Sequence, residues 1–164
     1  MVKLATLLPL ALACSVALHG QANRAVAFPS LSDQGLTGAP IPDLAGKVVL
    51  VDFCASWCAP CRASFPAYNR LLEEFGPKGF MVVGVSVDTD PAAYAAMLRK
   101  LHPSFVVLND PQHKLVSLVQ VPGMPTSYLI DRAGKVAGVR IGFHSGDTEN
   151  ELRRAIARLV AEPL

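Results

Sequence analysis

The chain has 164 residues, a formal net charge of +2 and a hydrophobic content of 51%. This length suits a single domain, and the mean hydropathy of +0.35 makes a membrane protein the first alternative to consider. The basic residues form no cluster and do not alternate with aromatic side chains, so the composition argues against a nucleic-acid partner.

The hydrophobic excess comes from the N-terminus. Leu4–Leu18 is an apolar run behind Lys3, and its length of 15 residues is short of the roughly 18 expected for a helix that spans a membrane. Small residues follow in the pattern of a secretory cleavage site, at Gly20-Gln21-Ala22 and again at 25–27. We therefore predict that residues 1–27 are an export signal, either a cleaved signal peptide or a retained anchor.

Lipidation is a third fate for this segment, because Ala11-Leu12-Ala13-Cys14 loosely resembles a bacterial lipoprotein cleavage box. All three fates place the predicted domain, residues 28–164, in the periplasm or another extracytoplasmic space, with the membrane contacted only through the N-terminal segment. Because Lys3 and Arg24 belong to the export signal, this domain carries 13 basic and 13 acidic residues and is formally neutral.

After the export signal, local patterns predict an alternation of strands and helices. Residues 28–45 are interrupted by glycine and proline and predict a small hairpin or an extended lead-in. The predicted strands cover 48–53, 80–87, 105–108, 126–130 and 135–141, and the predicted helices cover 62–75, 91–101, 111–119 and a last segment capped by Ser145 or Asp147. This order predicts one α/β domain with a central, mostly parallel sheet, a C-terminal antiparallel hairpin and helices on both faces.

Two cysteines separated by two residues, Cys58 and Cys61, lie between the first predicted strand and the first predicted helix. Such a pair can close a small disulfide and reopen it. At a helix N-terminus the unpaired N–H groups and the positive dipole end favour a thiolate, and in Cys-x-x-Cys settings the thiol pKa falls from about 8.5 to roughly 3.5–7.5. We therefore predict a redox-active disulfide, with Cys58 as the nucleophile and Cys61 as the resolving thiol.

Further residues around this motif form a wider pattern. A tryptophan precedes the first cysteine in the segment 51–61, Pro66 follows five residues after the second, and Gly123-Met124-Pro125-Thr126 precedes the terminal hairpin. With these motifs the chain resembles the thioredoxin superfamily, and within it the exported TlpA-like and ResA-like thiol-disulfide oxidoreductases. Residues 88–107 resemble the helix and strand inserted in TlpA-like members. The resemblance implies a thioredoxin-like fold and no resident cofactor.

The resemblance also implies roles for residues that contact the substrate. Pro125 is similar to the cis-proline that faces the active disulfide, and Met124 is the residue before it, in a loop that presents backbone groups to the substrate chain. Trp57 is expected to shield the thiol and contact substrates. The alternatives are an ordinary proline at the start of a strand and a merely packed aromatic side chain.

Asp52 resembles the buried acid that thioredoxins keep beneath the dithiol, where TlpA-like members often carry asparagine. A carboxyl group inside so apolar a strand is desolvated, which raises its pKa and suits it to exchange the proton of Cys61. The alternative is a hydrogen-bonded structural aspartate.

Cys54 departs from the family pattern, which usually has an aromatic residue at this position. Strand alternation places it on the same face as Asp52 and so near the dithiol. Burial in the core is the common fate of a free cysteine, and we predict packing for Cys54, with a role in the chemistry as the alternative.

These residues predict an enzyme, a thiol-disulfide oxidoreductase that reduces disulfides of other exported proteins. The resemblance suggests clients such as apocytochrome c or copper-site cysteines, and a membrane-embedded thiol reductase as the electron donor. The same pair, Cys58 and Cys61, can also run in reverse as a dithiol oxidase, since the direction depends on the reduction potential.

The alternative function is that of a binding protein rather than an enzyme, namely a copper-binding chaperone of the same fold. Cys54 and Cys58 have the Cys-x-x-x-Cys spacing of copper-binding relatives, and His144 or Met124 would add a soft ligand. A closed zinc site is disfavoured because it needs four ligands. A peroxiredoxin-like peroxidase is disfavoured because Ala55 stands where a threonine or serine is expected.

Overall fold

The structure is a computed structural model that describes residues 26–163. The predicted signal sequence up to residue 25, with its lipidation site and first cleavage site, lies outside the described residues. The elements, in chain order, are β1 (Val48–Cys54), α1 (Ala59–Phe75), a 3-10 turn (Gly76–Lys78), β2 (Phe80–Ser86), α2 (Pro91–Leu101), β3 (Val106–Asn109), α3 (Lys114–Leu118), β4 (Thr126–Ile130), β5 (Val136–Ile141) and α4 (Asp147–Ala161).

The five strands form one sheet in the order β3-β2-β1-β4-β5. β1 runs parallel to β2, and β2 runs parallel to β3, whereas β4 is antiparallel to both β1 and β5. The predicted α/β fold with a C-terminal hairpin is therefore confirmed, in a sheet with two parallel and two antiparallel pairings. β1 lies at the centre, so residues at its carboxyl end are flanked by strands on both sides.

All seven residues of β1 are buried, because the sheet is covered on both faces. One face, which includes Leu50 and Cys54, packs against α1, α2 and α4. The other, with Val51 and Phe53, packs against Leu115 of α3 and the lead-in segment. Burial of such aliphatic and aromatic side chains stabilises the fold by about 1.5–3 kcal/mol each.

Two predicted helix starts differ from the structure. α1 begins at Ala59, three residues before the predicted start, because the Cys58 sulfur caps it and Pro60 fits its first turn. α3 begins at Lys114 rather than at Pro111, since His113 adopts a left-handed conformation that interrupts a helix. The carboxylate of Asp110 still caps α3, by accepting the N–H of Lys114 at 2.9 Å.

The predicted cap of the last helix is wrong. α4 starts at Asp147, and its N-cap is Gly146 at a φ of 87°, with no side-chain hydrogen bond to the helix. The lead-in is extended rather than a hairpin, and it pairs through isolated bridges of Ala27 with Lys135 and of Thr37 with Asn109. Within residues 26–163, no helix has both the length and the apolar character needed to cross a membrane.

Candidate active site

Cys58 and Cys61 form a disulfide at the carboxyl end of β1, with their Cα atoms 5.3 Å apart. Cys58 is the N-cap of α1, and the N–H of Cys61 points at its sulfur at 3.2 Å. Cys58 retains 5% of its exposure, whereas Cys61 has none. The predicted pairing is confirmed, and the geometry favours Cys58 as the sulfur that carries negative charge once the disulfide opens.

The loop between β1 and α1 is held by a buried carboxylate. Asp88, 4% exposed, accepts the Ser56 N–H at 2.9 Å and the Ser56 hydroxyl at 2.8 Å. It also accepts the Ser86 hydroxyl at 2.7 Å, while the Arg62 guanidinium donates to the Ser56 carbonyl at 2.9 Å. Asp88 thus holds the N–H and hydroxyl of Ser56, and Arg62 holds its carbonyl. Because Ser56 is two residues before Cys58, these bonds fix the backbone that leads into the disulfide.

We expect the change Asp88→Ala to lower the free energy of unfolding of the oxidised protein by about 3 kcal/mol, because it leaves buried donors of Ser56 and Ser86 without an acceptor. Urea unfolding, followed by circular dichroism, measures this loss. Asp33→Ala is the matched control, since Asp33 is exposed, and it should unfold at the wild-type midpoint. Equal midpoints for the two variants would show that the carboxylate does not hold the loop.

Asp52 lies in the middle of the sheet and is 1% exposed. Its Oδ1 accepts the hydroxyl of Tyr68 from α1 at 2.9 Å, and its Oδ2 has no hydrogen-bond partner among residues 26–163. Burial raises the pKa of Asp52 to about 8, and the Tyr68 hydrogen bond opposes that rise only in part. The predicted desolvation is confirmed, and the carboxyl group changes its ionisation near neutral pH.

Cys54 is fully buried and is a free thiol. Burial, and after it the nearby carboxylates of Asp52 and Asp88, raise the pKa of the Cys54 thiol well above its usual value. A buried neutral thiol is a poor nucleophile. This environment favours the packing role for Cys54 over a role in the chemistry.

The residues predicted to contact substrate differ in exposure. Trp57, next to Cys58, is 69% exposed, so it is not a packed aromatic side chain. The Met124–Pro125 bond is cis, as predicted from the resemblance. Met124 is half-buried and packs against the core cluster that contains Cys58 and Cys61. Substrate binding by these residues remains a prediction.

Three residues of the site were missed in the sequence, namely Ser56, Tyr68 and Asp88. Asp88 had a usable signal, because it follows a buried strand that is parallel to β1, and the carboxyl ends of parallel strands meet at one edge of a sheet. Tyr68 had a weaker one, its position two turns after Cys61 on the same face of α1. Ser56 had none.

A copper-binding role gains no support from the described part of the chain. Residues 26–163 contain no group of three His, Cys, Asp or Glu side chains placed to hold a metal ion. Cys54 is buried within β1, Cys58 is bonded to Cys61, and His144 is exposed. The structure joins Cys58 to Cys61 in the predicted redox disulfide and does not pair Cys58 with Cys54.

Comparison with known proteins places this arrangement in a family. The model of the AhpC/TSA family matches residues 22–139, most of the chain. The chain belongs to the AhpC/TSA family. Among its relatives, the thiol-disulfide oxidoreductase ResA of Bacillus cereus is 32% identical over 102 residues, which are 62% of this chain and 59% of ResA. The thiol:disulfide interchange protein DsbE of Pseudomonas aeruginosa is 35% identical over 130 residues, 75% of this chain and 68% of DsbE.

A solved structure supports the same assignment for this AhpC/TSA member. A protein from Chlorobium tepidum, described as a thiol:disulfide interchange protein DsbE, is 40% identical with a TM-score of 0.70, and the match covers 73% of this chain and 84% of that one. The thioredoxin-like fold and the resemblance to ResA-like proteins are therefore confirmed. The chain spans 59% of the length of the ResA relative.

Proposed function

We propose that this protein is a thiol-disulfide oxidoreductase that reduces disulfides in other exported proteins. The observation that carries the proposal is the Cys58–Cys61 disulfide at the N-terminus of α1, where the Cys61 N–H points at the Cys58 sulfur. The exposed Trp57 beside it gives a client an apolar surface to contact. The names of the ResA and DsbE relatives support the same chemistry.

The reaction starts from the reduced pair. The Cys58 thiolate attacks one sulfur of a client disulfide, so a mixed disulfide forms and the first client thiolate leaves. The Cys61 thiol then loses its proton and attacks the Cys58 sulfur. The Cys58–Cys61 bond forms, the bond from Cys58 to the client breaks, and the second client thiolate leaves with the electron pair. Two electrons pass from the dithiol to the client.

Asp52 is the group proposed to take the Cys61 proton. It lies on the face of β1 that α1 covers, and α1 carries both Cys61 and the Tyr68 that binds Asp52. A general base works best when its pKa is near the working pH, and the pKa of about 8 for Asp52 meets this condition. The alternative, a purely structural aspartate, is disfavoured by its unpartnered Oδ2.

The proposed reaction takes place outside the cytoplasm, with exported clients and a membrane-bound electron donor. An export signal over residues 1–27 would deliver the domain to the periplasm or another extracytoplasmic space, either free or anchored. Oxidised exported proteins, such as apocytochrome c or proteins with copper-site cysteines, would accept the electrons as clients. A membrane-embedded thiol reductase would return the Cys58–Cys61 pair to the dithiol.

The reduction potential of the Cys58–Cys61 pair tests the proposal. The purified protein is equilibrated in glutathione buffers, and the dithiol fraction is measured by thiol alkylation and mass spectrometry. We expect a potential closer to the about −270 mV of thioredoxin than to the about −120 mV of DsbA. Cys54→Ala is the matched control and should keep the potential unchanged, because Cys54 is outside the pair. A potential near that of DsbA would overturn the reductase direction in favour of the oxidase.

A further inference from the structure

The two oxygens of the Asp52 carboxyl group have different surroundings. Oδ1 accepts the Tyr68 hydroxyl at 2.9 Å, whereas Oδ2 is buried and has no hydrogen-bond partner in the described part of the chain. Buried polar atoms are almost always paired, so an unpartnered carboxyl oxygen in the centre of the sheet calls for an explanation. Asp52 and Tyr68 are both 1% exposed, so bulk water does not provide a partner.

Tyr68 lies in the core, and its hydroxyl is directed at Asp52. Its ring makes edge contacts with Phe105 and Phe143, at centroid distances of 6.3 and 5.9 Å. Burial, followed by the proximity of Asp52, raises the pKa of the Tyr68 phenol well above its usual value. The phenol therefore keeps its proton throughout the working pH range and acts as a permanent hydrogen-bond donor to Oδ1.

We propose that Tyr68 is a positioning residue for proton transfer at the dithiol, because its hydroxyl fixes Oδ1 of Asp52 and leaves Oδ2 as the oxygen that exchanges a proton with Cys61. This inference rests on the proposed function, in which Cys61 must lose a proton. In that step the S–H bond of Cys61 breaks and an O–H bond forms at Oδ2. The sulfur keeps the electron pair and uses it to form the bond to Cys58.

Few other groups act on the Asp52 carboxyl. From α1, the helix that also carries Cys61, Tyr68 donates to it, and along β1 its neighbour is the neutral thiol of Cys54. Its neighbours across the sheet are Gly84 of β2 and Ser127 of β4, which carry no charge. The Tyr68 hydroxyl is therefore the donor whose removal changes the ionisation of Asp52 most directly.

The variant Tyr68→Phe tests this assignment, since it removes the hydroxyl and keeps the ring that packs in the core. The rate of release of a model peptide from its mixed disulfide with Cys58 is measured from pH 5.5 to 9.5, with the Asp52→Asn variant and the double variant alongside. The carboxyl titration of Asp52 is followed by carbon NMR in the same proteins. Tyr128→Phe is the matched control, because it removes a partly buried hydroxyl that donates to the Val119 carbonyl on the opposite face of the sheet.

A lost donor destabilises the carboxylate, so Tyr68→Phe should move the midpoints of the rate profile and of the Asp52 titration up by about one pH unit. At pH 7 this corresponds to a release rate that is slower by up to about tenfold. The double variant should release the peptide at the rate of Asp52→Asn alone, and Tyr128→Phe should keep the wild-type midpoints.

Unchanged midpoints in Tyr68→Phe, or a further loss of rate in the double variant beyond that of Asp52→Asn, would overturn the positioning role. A wild-type rate in Asp52→Asn would overturn it as well, since no relay would then exist to be positioned. None of these three outcomes touches the proposed disulfide exchange at Cys58 and Cys61, although the third would remove Asp52 from it. That exchange fails on different grounds, namely if the wild-type dithiol reduces no client disulfide.

Discussion

Cys61→Ser should convert the protein into a trap that holds its client through a stable disulfide to Cys58. The first attack needs only Cys58, whose sulfur lies at the N-terminus of α1 and beside the exposed Trp57. The release step needs the second thiol, and serine cannot supply it. Turnover should fall by at least about a thousandfold, the scale expected when an essential nucleophile is removed.

To detect the trapped adducts, the Cys61→Ser variant is expressed in the extracytoplasmic compartment, and its adducts are separated on gels without reductant. The adducts should disappear on treatment with dithiothreitol, and mass spectrometry identifies the captured clients. Cys58→Ser should capture nothing, and Cys54→Ala in the Cys61→Ser background should capture as much as Cys61→Ser alone, because Cys54 is buried. If adducts persist in Cys58→Ser and depend on Cys54, the nucleophile has been assigned to the wrong cysteine.

Local signals in the sequence predicted much of this fold. α2 spans Pro91–Leu101, as predicted, because Asp90 caps its second residue and Pro91 suits its first turn. β1 and β4 also lie within one residue of their predicted ranges, since short apolar runs bounded by turns are distinctive. The Cys58–Cys61 pairing followed from spacing alone.

What the sequence did not predict depends on contacts between distant segments. Ser56 and Asp88 are 32 residues apart, and Asp52 and Tyr68 are 16 apart, so their hydrogen bonds exist only after β1, β2 and α1 have packed. The last helix was misjudged for a different reason, because Gly146 adopts a positive φ and takes the cap position from the neighbouring Ser145 and Asp147. Local propensity cannot decide between three adjacent candidates for one cap.

Asp52→Asn should make the oxidised protein more stable, and the gain should grow with pH. The pKa of Asp52 is about 8 in the folded protein, compared with about 3.9 for an aspartate in an unfolded chain. Below pH 4 both states hold the proton, so Asp52 has no pH-dependent effect. Between pH 4 and 8 the unfolded chain releases a proton that the folded protein retains, so the wild-type free energy of unfolding falls as the pH rises.

Asparagine removes this pH dependence, because its side chain is neutral and its carbonyl oxygen can still accept the Tyr68 hydroxyl. The two proteins should have similar stability near pH 4, and the variant should be more stable by about 5 kcal/mol at pH 8 and above. Urea unfolding at unit intervals from pH 4 to 9 measures the difference. Asp33→Asn, at an exposed position, should follow the wild-type curve. Parallel curves for Asp52→Asn and the wild type would mean that Asp52 ionises like an exposed carboxyl.

A carboxyl group that lowers the stability of its own fold at neutral pH requires a chemical explanation, since an amide would fill the same space without this cost. Strongly shifted pKa values cluster at functional sites for this reason. Asp52 lies under α1, the helix that begins at the disulfide, and none of the described residues gives its Oδ2 a hydrogen bond that would account for the burial. The proposed proton exchange with Cys61 would supply the explanation. The variant that gains stability should therefore also be the one that releases its client more slowly.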